Sequence, residues 1–251
     1  MAVGSGLAQL AGYPFEVRYS GGALERAQVV ADVAARSYRY FSRLFSGMKP
    51  DIAIIVADEA DWSGRGPYGL PFFRDDPGEI RPGIVLMPSG GGDFWRGIAD
   101  DIGDASPRGY ATLREQYPDG AGGVDLQPFF DLITIHELGH AFEVLGDLRL
   151  PTFWLSEIFV NLAMHAFIAT HLPTMLPTLE TLPTVGAGSR NLAARMRRHG
   201  YSTLDELQDH YTGGDNSMDP LNYVWFQHRW LRLVARMFAV DGEDGVVRFW
   251  D

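Results

Sequence analysis

The sequence predicts an α+β protein that folds as a single domain, with a sheet lobe at about residues 1–105 and a helical lobe at about 106–251. Short strand-like runs separated by Gly- and Pro-rich turns surround one long helical pattern in the first hundred residues. After Asp93, apolar residues recur mainly at helical spacing. At 251 residues, with 46% hydrophobic and 21% charged residues, the chain can bury a full globular core.

The sheet lobe is predicted from strand-like runs and one helix. Residues 15–19 alternate apolar with polar side chains, as in an early strand. Residues 23–45 have long helical periodicity that stops at Gly47. Further strands are expected at residues 51–57, 68–73 and 84–87.

A short helix is predicted at residues 94–102, and the helical lobe then begins with a Gly- and Pro-rich loop at 106–127. Pro128 suits the first turn of the next helix, and Gly146 suits its C-terminal cap. The helices expected from there onwards are at about 128–145, 153–171, 189–198, 203–211, 219–239 and from 242.

Composition and charge exclude several classes of function. A net charge of −11 argues against nucleic acid as the main partner. The chain has no cysteine, which removes disulfides, thiolate zinc sites and cysteine nucleophiles. Residues 1–13 show no signal peptide, and the apolar run at 158–170 is too short to span a bilayer. We therefore expect a soluble protein without a membrane span, of unknown compartment and oligomeric state.

Residues 136–140 read His-Glu-Leu-Gly-His and carry the strongest functional signal. In a helix, positions i and i+4 share one face, so His136 and His140 can hold one metal ion. Glu137 stands beside the first ligand and can reach a water on that metal. Burying these groups in an apolar helix without partners would be costly, and a zinc ion supplies the partner.

A catalytic zinc needs a third protein ligand, and Glu157 in the next predicted helix is favoured. The alternative for Glu157 is a surface residue in the first helical turn, where the helix dipole favours a negative charge. Glu143, Asp147 and His165 are competing ligands, although His165 also suits a hydrogen-bonded core position. Asn161, one turn after Glu157, is expected either to accept the second ring N–H of His136 or His140 or to be a polar residue in the packing of helices.

The His-Glu-x-x-His motif, followed by Trp-Leu-x-Glu at 154–157, resembles the gluzincin metallopeptidases. More narrowly, residues 25–251 are similar to the catalytic domain of the aminopeptidase N and leukotriene hydrolase family. The resemblance implies a thermolysin-like zincin domain with one zinc ion per chain, held by His136, His140 and Glu157. It also implies a catalytic tyrosine, for which Tyr223 lies at a similar interval and begins a similar helix.

Two features depart from that family. The interval between His140 and Glu157 is shorter, and the exopeptidase motif Gly-x-Met-Glu-Asn is missing. The choice between endopeptidase and aminopeptidase is therefore left open.

The expected function is zinc-dependent hydrolysis of peptide bonds by a metal-activated water. Glu137 would act as general base and then pass the proton to the leaving amine. Tyr223 would stabilise the oxyanion, unless it is simply a core tyrosine on an amphipathic helix. The possible substitutes for Tyr223 are His228, Tyr211 and Tyr201.

Two alternatives keep the metal but change the function. One is a zinc hydrolase of a small non-peptide substrate, such as an ester, an epoxide or a small amide. The other is a catalytically silent zinc-binding protein. Glu137 argues against the silent protein, because a structural zinc site is closed by a fourth ligand and needs no base.

Overall fold

The computed structural model describes residues 6–63, 68–75, 82–188, 193–194, 198, 201–212 and 220–250. These residues form a mixed α+β structure with a small five-stranded sheet and a larger share of helix. The α+β class is thus confirmed.

The sheet has the strand order β1-β2-β3-β5-β4. Its three central strands run parallel, whereas both edge strands pair antiparallel with their neighbours. The strands are β1 (Ala8–Leu10), β2 (Glu16–Tyr19), β3 (Ile52–Ala57), β4 (Phe72–Arg74) and β5 (Gly83–Pro88).

The helices in the described part of the chain follow the order of the sequence, with one 3₁₀ turn at Pro173–Met175 before α6. They are α1 (Leu24–Leu44), α2 (Gly92–Ala105), α3 (Pro107–Gln116), α4 (Gln127–Leu145), α5 (Phe153–His171), α6 (Leu176–Gly188), α7 (Leu204–Thr212), α8 (Pro220–Asp241) and α9 (Asp244–Trp250).

The chain divides into two compact units, and the first comprises Met1–Trp95, Leu126–Arg149 and Trp250. Strand β3 reads Ile-Ala-Ile-Ile-Val-Ala and is buried throughout, as expected for a central parallel strand. One face of the sheet packs on α1 in a cluster of small and branched side chains. The buried members of that cluster are Ala23, Ala27, Val30, Ala34, Ile54, Val56, Val85 and Met87.

Helix α4 belongs to the first unit and packs on α1 through aromatic rings. The Phe142 ring lies 5.3 Å from the Tyr38 ring, 5.5 Å from Phe41 and 5.9 Å from Phe45, measured between centroids. These contacts fix the rotation of α4 about its axis.

The second unit comprises Arg96–Asp125, Leu150–Phe249 and Asp251, and its central element is α5. Helix α5 packs against α8, and α6 packs against both α8 and α3. Tyr117 connects the end of α3 to α6 because its hydroxyl donates to the Thr178 carbonyl (2.6 Å) and accepts from the Leu182 N–H (3.2 Å). Burial raises the pKa of Tyr117, so this hydroxyl stays protonated.

Among the described residues, α5 is the one helix that is long enough and apolar enough to cross a membrane. Of its most apolar window, 67% is buried inside the protein, which is the pattern of a core helix. The structure is therefore compatible with a soluble protein.

Several predicted elements are confirmed and others are corrected. The helices expected at 23–45, 128–145 and 153–171 are present with small shifts in their ends. Of the strand expected at 68–73, only the last part is present, as β4 (Phe72–Arg74). Strand β1 was not predicted. The helix expected at 189–198 lies largely outside the described residues.

The loop predicted at 106–127 is wrong, because α3 occupies its first half. The Ser106 hydroxyl accepts from the Gly109 N–H (3.1 Å), and Pro107 stands in the first helical turn, so this start has ordinary capping chemistry. Leu113 is the main buried residue of α3, and so little apolar burial leaves a weak periodic signal.

Helix α6 was also missed. It contains Pro183 and begins directly after a proline-containing turn, and such residues normally indicate a loop. Burial of Leu179 and Leu182 holds this segment as a helix despite its poor local propensity.

Replacing Phe142 with alanine should lower the free energy of unfolding by about 3–5 kcal/mol, because it leaves a cavity among three aromatic rings. Urea denaturation followed by circular dichroism measures the change. The control is Val144→Ala on the same helix, whose side chain is 46% exposed and whose loss should cost less than about 0.5 kcal/mol. Equal losses in the two variants would contradict the packing of Phe142 against α1.

Candidate metal centre

The His-Glu-Leu-Gly-His segment lies in the middle of α4, as predicted. Gly146 follows the last residue of α4, and its N–H donates to the Phe142 carbonyl (2.9 Å). A Cβ on Gly146 would lie 2.4 Å from the Met48 methyl carbon and 2.6 Å from the Trp250 ring. Close packing therefore requires glycine at this helix end.

His136, His140 and Glu157 offer ligand atoms that all lie within 4.8 Å of one another. His136 and Glu157 are buried, and His140 is partly buried. The two imidazole rings stand at 85° to each other, with their centroids 4.8 Å apart. This group could hold a metal ion, and its geometry is compatible with one metal site.

The donor set also fits the chemistry of such a site. Two imidazole nitrogens and one carboxylate oxygen are ligands that suit transition metals such as zinc, whereas calcium and magnesium prefer oxygen ligands throughout. Glu157 is only 2% exposed, so its charge needs compensation inside the protein.

Glu143 contacts His140 instead of belonging to the group of three. The Glu143 Oε2 and His140 Nδ1 atoms are 3.1 Å apart, which is hydrogen-bond distance. A carboxylate that accepts Nδ1–H leaves the Nε2 lone pair of the same ring available to a metal. Glu143 therefore favours one tautomer of His140. That Asn161 accepts a ring N–H of His136 or His140 stays a prediction.

Asn161 lies in a hydrogen-bonded network that connects α5 to α8. Its Nδ2 donates to Gln227 Oε1 (2.9 Å). Gln227 Nε2 in turn donates to Glu157 Oε2 and to the Tyr223 hydroxyl, at 2.6 Å in each case. Tyr223 is partly buried, and its ring is stacked with the Phe153 ring at 6.3 Å.

Gln227 was missed by sequence reasoning. A weak signal exists, since Gln227 follows Tyr223 by one helical turn, as Asn161 follows Glu157. That spacing places each pair on one helix face, but it does not show that the two faces meet.

Glu137 is buried beside His136 and is 7% exposed. A carboxylate this buried does not serve solubility. Its role as general base stays a prediction.

The two other competing ligands have contacts of their own. His165 is buried, with its Nε2 3.1 Å from Glu180 Oε1 and its ring 5.2 Å from that of Phe238, which suits a core histidine. Asp147 is exposed and forms an ion pair with Arg149 (2.9 Å).

The substitutes for Tyr223 are in different surroundings. The Tyr201 hydroxyl is 2.7 Å from His210 Nδ1. The side chain of Tyr211 lies outside the described residues. His228 is fully enclosed, and burial lowers its pKa to about 4, so its ring is neutral at pH 7. It packs against Gly186, where a Cβ would lie 2.0 Å from His228 Nδ1.

Comparisons of this chain with protein-family models, with curated proteins and with solved structures found no match.

Protein purified without added metal should contain about one zinc per chain, and His140→Ala or Glu157→Ala should lose most of it. Elemental analysis by mass spectrometry measures the content. His171→Ala is the control, because His171 is an exposed histidine at the end of α5 and outside the group. Full zinc retention in both ligand variants would contradict this assignment.

His228 should make the metal-free protein less stable in acid. The unfolded chain binds a proton at this ring near pH 6.5, but the folded chain only near pH 4. The unfolded state thus holds more protons between these values, and stability falls as the pH drops through that window, by up to about 3 kcal/mol. Urea denaturation in chelator at pH 7 and 4.5 measures the effect, and His228→Leu should lack this component. An unchanged pH dependence in the variant would show that His228 does not cause it.

Proposed function

We propose that this chain is a zinc-dependent peptidase of gluzincin type, with a thermolysin-like catalytic domain similar to that of the aminopeptidase N and leukotriene hydrolase family. The observation that carries the proposal is the group formed by His136, His140 and Glu157. The resemblance of the motifs at 136–140 and 154–157 to those of this family also supports the proposal.

The ligand number favours a catalytic site. Among the described residues, the group comprises three protein ligands, and a zinc with three protein ligands keeps a position for water or substrate. A donor set of two histidines and a carboxylate also serves iron(II) in oxygenases. The buried Glu137 favours hydrolysis, since a proton acceptor beside the metal is what activation of water requires.

Bound zinc would act as a Lewis acid that polarises the substrate carbonyl and makes water more acidic. Glu137 accepts the proton of the attacking water and delivers it to the nitrogen of the leaving amine. The Tyr223 hydroxyl donates a hydrogen bond to the oxygen on which negative charge develops. This bond lowers the activation barrier by about 2–4 kcal/mol. The His140–Glu143 contact keeps the ligand ring in one orientation during this cycle.

Hydrolysis of an ester, an epoxide or a small amide uses the same metal and the same base. The peptide substrate is preferred because the resemblance covers both zinc motifs and the tyrosine helix. Within the peptidase proposal, cleavage of N-acetylated peptides indicates an endopeptidase, and a requirement for a free amino terminus indicates an aminopeptidase.

Glu137→Gln should keep the zinc and lower the rate of peptide cleavage by about 10²–10⁴-fold, because an amide cannot accept the proton. Cleavage of a quenched-fluorescence peptide library, with zinc content determined in parallel, measures this effect. Glu180→Gln is the matched control, since Glu180 contacts His165 and belongs to no step of the reaction.

Wild-type turnover in Glu137→Gln would overturn the assignment of the base. Zinc binding without cleavage of any peptide by the wild-type protein would favour the non-peptide hydrolase or the silent zinc protein.

A further inference from the structure

We infer that Gln227 is a positioning residue that holds the zinc ligand Glu157 and the oxyanion donor Tyr223 in one hydrogen-bonded network. This inference rests on the proposed function and adds a residue that no motif indicates. Its basis is the geometry of one amide group and the two helix faces that meet around it.

The hydrogen-bonding capacity of the Gln227 amide is matched to its neighbours. The amide has two N–H donors, and its nitrogen donates to Glu157 Oε2 and to the Tyr223 hydroxyl oxygen, at 2.6 Å each. Its carbonyl oxygen accepts from Asn161 Nδ2 at 2.9 Å. A carboxylate accepts and an amide NH₂ donates, so these contacts define a single orientation of Gln227.

The network is formed by two pairs of residues at i and i+4 spacing. Glu157 and Asn161 stand one turn apart on α5, and Tyr223 and Gln227 stand one turn apart on α8. Because α5 packs against α8, the two pairs meet. Glu157 and Asn161 are almost fully buried, and hydrogen bonds are stronger in such surroundings than in water.

The first consequence concerns Glu157. A carboxylate oxygen that accepts a short bond from Gln227 restricts rotation of the carboxylate about its last side-chain torsion. The ligand is therefore oriented before a metal binds, and less conformational freedom is lost on binding. Hydrogen-bonding groups of this kind around a ligand change metal affinity by about tenfold to a hundredfold.

The second consequence concerns Tyr223. An amide nitrogen has no lone pair to offer, so Tyr223 accepts from Gln227 and directs its own proton towards a different atom. A hydroxyl held in this way acts as a donor, which is the role that the proposed mechanism assigns to Tyr223.

The test compares zinc affinity in the wild type, Gln227→Met, Tyr223→Phe and Gln116→Met, by competition with a chelating chromophore. Gln227→Met keeps the length of the side chain but removes all three hydrogen bonds, and should weaken zinc binding by about tenfold to a hundredfold. Tyr223→Phe keeps the bond between Gln227 and Glu157 and should bind zinc as the wild type does.

Gln116→Met is the matched control. Gln116 also joins two helices of this unit, through a hydrogen bond of 3.3 Å from its Nε2 to Thr178 Oγ1, but these helices are α3 and α6 rather than α5 and α8. Its loss should leave zinc affinity unchanged. Should Gln227→Met fail to fold, Gln227→Leu also removes the three hydrogen bonds with a neutral side chain, and should weaken zinc binding as well.

Turnover of the zinc-saturated variants tests the second consequence. Gln227→Met should lower kcat by no more than Tyr223→Phe does, and the double variant should lose little more than Tyr223→Phe alone, because both changes act through one hydroxyl. Unchanged zinc affinity and kcat in Gln227→Met would overturn the role of Gln227 and leave the peptidase proposal intact. Weakened zinc binding in a protein that cleaves no peptide would support Gln227 and overturn the peptidase proposal.

Discussion

The burial of ionisable and polar side chains in apolar helices is the constraint on which the site depends. Helix α5 is almost entirely apolar, yet Glu157 and Asn161 are within it at 2% and 1% exposure. A buried carboxylate costs several kcal/mol unless hydrogen bonds and an opposite charge compensate it. Gln227 supplies the hydrogen bond, and a cation shared with His136 and His140 would supply the charge.

Packing on the other sides of these helices supports the same geometry. The aromatic contacts of Phe142 with Tyr38 and Phe41 fix the rotation of α4 and so aim its histidine face. In the second unit, contact between α5 and α8 brings Gln227 to Glu157. Side chains that bind a metal need placement to within a fraction of an ångström, and rigid helices provide this better than loops do.

His140 and Glu157 each have a polar contact that limits the rotation of the side chain. His140 is held by Glu143, and Glu157 is held by Gln227. Each of these contacts leaves a ligand atom for a metal and also compensates a buried polar group. One set of hydrogen bonds thus serves both stability and preorganisation, which explains polar residues at positions that the core would otherwise fill with apolar ones.

The sequence by itself determined the strands and helices with strong periodicity, and the spacing that places His136 and His140 on one face of α4, because both depend on local geometry. It failed for α3 and α6, where few buried side chains and a proline hide the helical pattern. Glu143 follows His140 by three positions on α4, so helix geometry already allows their contact. Only the tertiary structure decided that Gln227 joins Glu157 to Tyr223. Periodicity shows which face of a helix is buried, whereas the residue that meets that face depends on how the helices pack.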